Sequence, residues 1–154
     1  AKAIRIDYQP TEDDNVTIKG VAGDTYAMGF LGYAYYEENK DKVKAVAIDH
    51  GKGCVLPSRE TVLDGTYQPL SRPLFIYVNV KSLDRPEVQA FVDFYLSPAA
   101  RRAIRSTGYV ELPSEAYRIG QELVKRRKAG TFFMELPAGT PLSKFIQELD
   151  KELR

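Results

Sequence analysis

"PLFIYVNV", residues 73–80, is apolar almost without interruption. A strand with one wet face alternates apolar and polar side chains, so a run of this kind is the pattern of a strand covered on both faces, as in an α/β sheet. Working outward from it, three helices are expected downstream. In "DRPEVQAFVDFYL", 84–96, Asp84 stands where a cap is needed, and Val88, Phe91, Val92, Tyr95 and Leu96 form one apolar stripe at helical spacing. In "SPAARRAIRSTG", 97–108, Ser97 caps, Pro98 takes the first helical position and Gly108 ends the helix. In "PSEAYRIGQELVKRRKAG", 113–130, Ser114 caps, the basic run Lys125 to Lys128 favours the negative helix end, and Gly130 stops it. A last helix, opened by Thr140 and Pro141, carries Leu142, Phe145, Ile146, Leu149 and Leu153 on one side.

Upstream, "NVTIKG", 15–20, alternates and ends on glycine, the pattern of a short strand. Asp24 is placed to cap a short helix starting at Thr25. Gly29 and Gly32 then argue for a buried strand "GFLGY", with Phe30 and Leu31 inside, that enters a helix "AYYEENKDK". "VKAVAID", 43–49, reads as a further strand. From 50 to 72 the glycines and three prolines (Pro57, Pro69, Pro73 at its border) mark a long extended connection, the best place for a hinge or domain boundary.

Composition narrows the functional classes. A chain of 154 residues with 44% hydrophobic content can bury one ordinary core or two small lobes. Twenty-two Lys and Arg against 21 Asp and Glu leave no field of one sign to hold nucleic acid or an anionic membrane. Any ionic partner must be recognised locally. No apolar run approaches the roughly 18 residues of a membrane helix, and "AKAIRIDYQP" has no apolar core of the signal-peptide kind.

Chemistry-bearing residues are sparse. One histidine, His50, cannot build a multi-histidine metal site, and one cysteine, Cys54, cannot form an internal disulfide. In "DHGKGC" Asp49, His50 and Cys54 share a Gly-rich loop, where nothing rigid would hold a nucleophile against its base. Glu37 and Glu38 read as a solvated helix face, and Arg101, Arg102 and Arg105 as helix-end cations. "TEDDN" lacks the spacing of a calcium loop. Neither catalytic residues, a metal nor a cofactor is expected. The remaining candidate is "VAGDTY": free amides at a helix start make an anion site, and Gly23 would let a ligand approach, although Asp24 would repel a fully charged anion unless a ligand hydroxyl donates to it.

Several long blocks resemble one family. "DYQPTEDDNVTIKGVAGDTYAMGFLGYAYYEENKDKVKAV", "DGTYQPLSRPLFIYVNVKS", "FVDFYLSPAARRAIRSTGYVELPSEAY" and the tail "AGTFFMELPAGTPLSKFIQEL" are similar, in this order, to the carboxy-terminal half of the periplasmic phosphate-binding proteins of bacterial phosphate ABC importers. The resemblance implies an α/β, type II periplasmic-binding-protein fold, two-lobed, closing over one phosphate. Residues 1–49 would complete the second lobe, 50–72 would recross the hinge, and 73–154 would return to the first lobe. It implies a periplasmic or cell-envelope location, ABC importer membrane subunits as partners, and no nucleic acid. The family's phosphate-holding Ser-Gly-Thr, Arg and Asp have no counterpart positions here, so no ligand residue carries over. By looser analogy Gly23, Asp24, Thr25 and Tyr33 would line the cleft. Strands without their neighbours leave sticky edges. The chain is therefore expected to fold and to bind inorganic phosphate only with the missing amino-terminal half, as a complementary chain, or to pair with a second copy of itself. The alternative is a self-associating structural module of the same half-fold without anion binding.

Overall fold

The computed structural model describes residues 6–130, 136–137 and 139–154; the first five residues and parts of the 129–149 tail block lie outside them. The fold divides between Ala45 and Val46 into two compact units.

The first unit opens with a helix where a strand was expected. Asp13 Oδ1 accepts from the Asn15 amide at 2.9 Å and starts α1, Asp14–Gly23. Its inward residues, Asp14, Thr17, Ile18 and Val21, recur at helical spacing, with only Ile18 fully buried, whereas Val16 points outward. Three alternating residues were too few to fix the period, and the acids of "TEDDN" supply the cap. The helix expected from Thr25 is absent: Asp24 closes α1, and its carbonyl and carboxylate accept from Ala27 and Tyr26 in a tight turn. Residues 27–32 follow without helix or ladder, and Phe30, expected inside, is 83% exposed. Gly29 lies directly on α1, since a Cβ there would stand 2.7 Å from Thr17 Cγ2 and 2.8 Å from Val21 Cγ2. The helix α2, Tyr33–Glu38, starts from Gly32 and buries Ala34; Asn39 closes it, its amide and side chain donating to the Tyr36 and Tyr35 carbonyls.

In the second unit the strand expected over 43–49 shrinks to its last two residues. β1, Ile48–Asp49, pairs antiparallel with β2, Cys54–Val55. Gly51 (φ +85°) and Gly53 (φ +100°) turn the loop between them. The connection expected to be extended thus holds a hairpin, and then a helix, α3, Arg59–Leu63. Ser58 and Thr61 form a reciprocal cap at its start: each side chain accepts from the other's amide. Residues 72–79 carry no ladder among the described residues, and Leu74 and Tyr77 face water. Phe75 meets Phe145 with ring centroids 5.5 Å apart.

The helices of this half follow the expected spacing closely. A 3-10 turn, Val80–Asp84, leads into α4, Pro86–Tyr95. Asp84 does not cap α4; Arg85 occupies that position, and Asp84 pairs with Arg127 at 2.7 Å. In α4 Val92 is buried while Phe91 of the same expected stripe is half exposed. α5, Pro98–Ser106, has the expected Ser97 cap and ends at Gly108 with φ +76°. α6 spans Ser114–Lys125; Ser114 is its first residue and not its cap, and its hydroxyl takes a bond from Arg101. The helix stops before Gly130. Arg127 takes the left-handed conformation (φ +50°), and its amide and that of Lys128 close onto the Val124 and Leu123 carbonyls.

α7, Leu142–Lys151, packs along α6. Ile119, Phe145 and Leu149 form the buried centre, ringed by Leu123, Leu136, Leu142, Ile146 and Leu153. Every α7 position in that set was expected on the inner side. Ile119 is fully buried, so Ile119→Ala should destabilise the second unit by about 2–5 kcal/mol, through lost burial and the cavity left behind. Gly29→Ala should destabilise the first unit by about 1–3 kcal/mol, because two methyl groups must move. Thermal unfolding of each variant measures both losses; an unchanged midpoint for either would contradict the packing described.

Candidate functional site

The sequence-derived candidates fall around one turn. Gly23 ends α1, Asp24 is its carboxy-terminal cap, and Thr25 lies in the exposed turn that follows. The supposed anion cradle needed a helix amino end; the chain presents a helix carboxy end, whose free carbonyls favour cations. Asp24 Oδ1 is committed to the Tyr26 amide at 2.8 Å. Tyr33 opens α2 and lies beside Tyr36, ring centroids 6.3 Å apart and planes at 47°. The structure therefore keeps the four residues in one unit and lacks, at Thr25, the helix start on which the anion-site reading of "VAGDTY" rested.

The "DHGKGC" loop is organised by its own backbone. Asp49 Oδ1 accepts from the Gly51 and Gly53 amides at 2.7 and 3.1 Å, so it does not orient His50. Cys54 is exposed, and no side-chain hydrogen bond joins it to His50 among the described residues. No group of three His, Cys, Asp or Glu side chains among the described residues could hold a metal ion.

The most organised polar cluster is one that sequence reasoning missed. Glu111, with its carboxylate largely covered, receives Arg59 from α3 at 3.0 Å and Arg105 from α5 on its other oxygen. Beside it Arg101 donates to Ser114 Oγ at 2.6 Å and lies 5.4 Å from the Tyr117 ring centroid. Arg59 and Glu111 are 52 residues apart, beyond any local spacing rule. The cluster presents two guanidinium groups to an oxyanion, yet the oxyanion is the chain's own. It joins α3 to α5. Within the basic run Arg126 pairs with Glu122, Arg127 with Asp84 and Lys128 with Glu152.

Ionisation follows these contacts. The Arg118 hydrogen bond holds the Glu115 carboxyl below the ordinary range, and the Thr66 hydroxyl does the same for Asp64. Burial pushes the phenols of Tyr117 and Tyr67 above their ordinary value of 10.0. The native chain thus keeps these two protons where the unfolded chain releases them. Their contribution to stability is complete below the unfolded value and disappears as pH rises through the higher native one.

No family model matches the sequence. Protein SphX of Synechocystis sp. is 47% identical over 150 residues, 94% of this chain and 44% of that relative. The phosphate-binding protein PstS of Staphylococcus haemolyticus is 41% identical over 108 residues, 69% of this chain and 34% of its own length. A crystal structure of a possible phosphate binding protein from Planctomyces limnophilus superposes with a TM-score of 0.62 at 38% identity, covering 81% of this chain and 45% of that one. Over most of its length this chain is similar to part of the phosphate-binding proteins. It spans less than half the length of the relatives it matches. Its fold class is α/β of the type II periplasmic-binding-protein kind, consistent with a carboxy-terminal half; helices and one two-stranded sheet make up its described part. No helix among the described residues is long and apolar enough to cross a membrane.

An alkaline titration followed by tyrosinate absorbance should show Tyr117 and Tyr67 ionising late, and Tyr117→Phe should remove one late step. Loss of no late step in that variant would contradict the burial of Tyr117.

Proposed function

We propose that this chain forms one part of a phosphate-binding unit that serves ABC-type import in the periplasm or cell envelope. The observation that carries the reading is 47% identity to SphX across 94% of the chain, joined to the structural likeness to a possible phosphate-binding protein. In this reading residues 1–49 belong to one lobe, 50–72 recross between lobes, and 73–154 belong to the other. The division of the fold between Ala45 and Val46 is in keeping with such a boundary. In this reading the function is binding: the thiol of Cys54 and the imidazole of His50 stand in an exposed loop, and no side-chain hydrogen bond joins them among the described residues.

The groups that hold phosphate come from the part of the fold that this chain does not match. Here the Asp24 carboxylate is occupied by the Tyr26 amide, and Glu111 by the guanidinium groups of Arg59 and Arg105. Tyr33 and the turn at Gly23, Asp24 and Thr25 would line the cleft without supplying its main charge. Specificity for the oxyanion would then rest on hydrogen bonds completed only when both parts meet.

Phosphate calorimetry separates this reading from its alternative, a self-associating module without anion binding, which the exposed Tyr26, Met28 and Phe30 favour. The chain is titrated alone, and then mixed with the part of Synechocystis SphX outside the 150 matched residues. Heat of phosphate binding is expected from the mixture only. A complex that forms and takes no phosphate would overturn the proposal, and a homodimer without phosphate affinity would support the alternative.

A further inference from the structure

The stretch 56–71 closes on itself. The Thr61 hydroxyl donates to the Leu56 carbonyl at 2.8 Å, the Tyr67 amide to the Thr61 carbonyl at 2.8 Å, and Ser71 Oγ to the Tyr67 carbonyl at 2.7 Å. Among the described residues one hydrogen bond leaves the stretch: Arg59 Nη2 donates to Glu111 Oε1 at 3.0 Å. Beyond α3 the stretch meets later residues through shape. A Cβ on Gly65 would stand 3.6 Å from Pro141 Cβ, and one on Gly139 would stand 2.8 Å from Pro69 Cβ. Apolar contact is non-directional, whereas a guanidinium on a carboxylate fixes an orientation.

Glu111 is built to serve as the fixed member of that pair. Its side chain is 18% exposed, and Arg105 of α5 donates to its other oxygen, so the carboxylate is tethered independently of Arg59. Arg101 nearby does not compete, being turned to Ser114 Oγ and the Tyr117 ring. Arg59 is the first residue of α3, directly after the Ser58 cap. An ion pair in open water holds little, but a covered carboxylate shared by two guanidinium groups belongs to the stronger class of charge-assisted hydrogen bonds.

We propose that Glu111 is a positioning residue that clamps the first turn of α3 onto the part of the chain after residue 72, and that phosphate affinity depends on this clamp. The inference rests on the reading proposed above, in which 50–72 recross between lobes, and adds the residue that orients the crossing. With the clamp made, the connection enters the second part in one orientation. Without it several orientations are sampled, and the affinity falls by the fraction of molecules in the competent one.

Hydrogen exchange of the full chain, followed by mass spectrometry, reads the clamp directly. In Arg59→Met and Glu111→Gln, peptides covering 58–67 should exchange about threefold faster or more, while those of α6 and α7 keep the parent rate. Arg59→Met leaves Glu111 on Arg105, so it remains informative even where Glu111→Gln fails to fold. Phosphate calorimetry on the mixture with the unmatched part of Synechocystis SphX reads the consequence. Arg59→Met should weaken phosphate binding about threefold to tenfold, with association of the two parts within about twofold of the parent. Arg59→Lys, which keeps the charge, should recover part of the loss. The proposal is overturned if exchange at 58–67 is unchanged in Arg59→Met, if exchange rises equally across α6 and α7, or if phosphate affinity equals the parent's. A loss beyond about a hundredfold would place Arg59 on the anion itself and overturn the positioning role. A parent mixture that takes no phosphate would refute the phosphate reading and the affinity claim with it, while the clamp stands or falls on the exchange of the chain alone.

Discussion

A helix satisfies its own backbone, whereas an extended stretch needs neighbours to pair its N–H and C=O groups. The form this chain takes depends on that difference. Where the hydrogen bonds are local, as in α4 to α7, the chain builds regular elements and a buried centre at Ile119, Phe145 and Leu149. Where they would be made to a distant strand, as along residues 27–32 and 72–79, the backbone runs on without a ladder among the described residues. The exception supports the rule. β1 and β2 pair because only four residues separate them, with Asp49 and two left-handed glycines closing the loop.

The same difference explains what could be read from the sequence. The α7 stripe and the Ser97, Pro98 and Gly108 signals of α5 were legible because their physics lies within a few residues. α1 was misread because Val16 and Ile18 mimic a two-residue repeat; the inward set becomes visible only when Asp14 and Val21 are included. "PLFIYVNV" was expected as a strand covered on both faces; among the described residues 72–79 carry no ladder, and Leu74 and Tyr77 face water, so an apolar run by itself did not decide between strand and irregular chain. The α3 cap was within reach, since Ser58 and Thr61 stand three apart beside Pro57, but prolines nearby made the region look uniformly extended.

For the candidate site, legibility was lower for a related reason. Asp24 was recognised as a cap and assigned to the wrong helix, so a carboxy end was taken for an amino end and its electrostatic sign was reversed. The Glu111 cluster could not be read at all. Its members come from α3, α5 and the segment before α6, and no local rule brings residues 52 apart together. Much of the charge that looked available in sequence, at Arg105, Arg126, Arg127 and Lys128, is paired within the chain. That is why the near balance of acids and bases describes the surface better than any single basic run does.

Arg127 shows how one backbone choice can serve two ends of a layer. A glycine at that left-handed position would terminate α6 with less strain, and would leave Asp84 without its cation. With arginine there, the same residue that stops one helix holds the approach to another, so the end of α6 and the entry to α4 are set as a pair. Shortening α6 by a turn would draw the guanidinium away from Asp84, so the length of the helix becomes a dimension on which its neighbour's position depends.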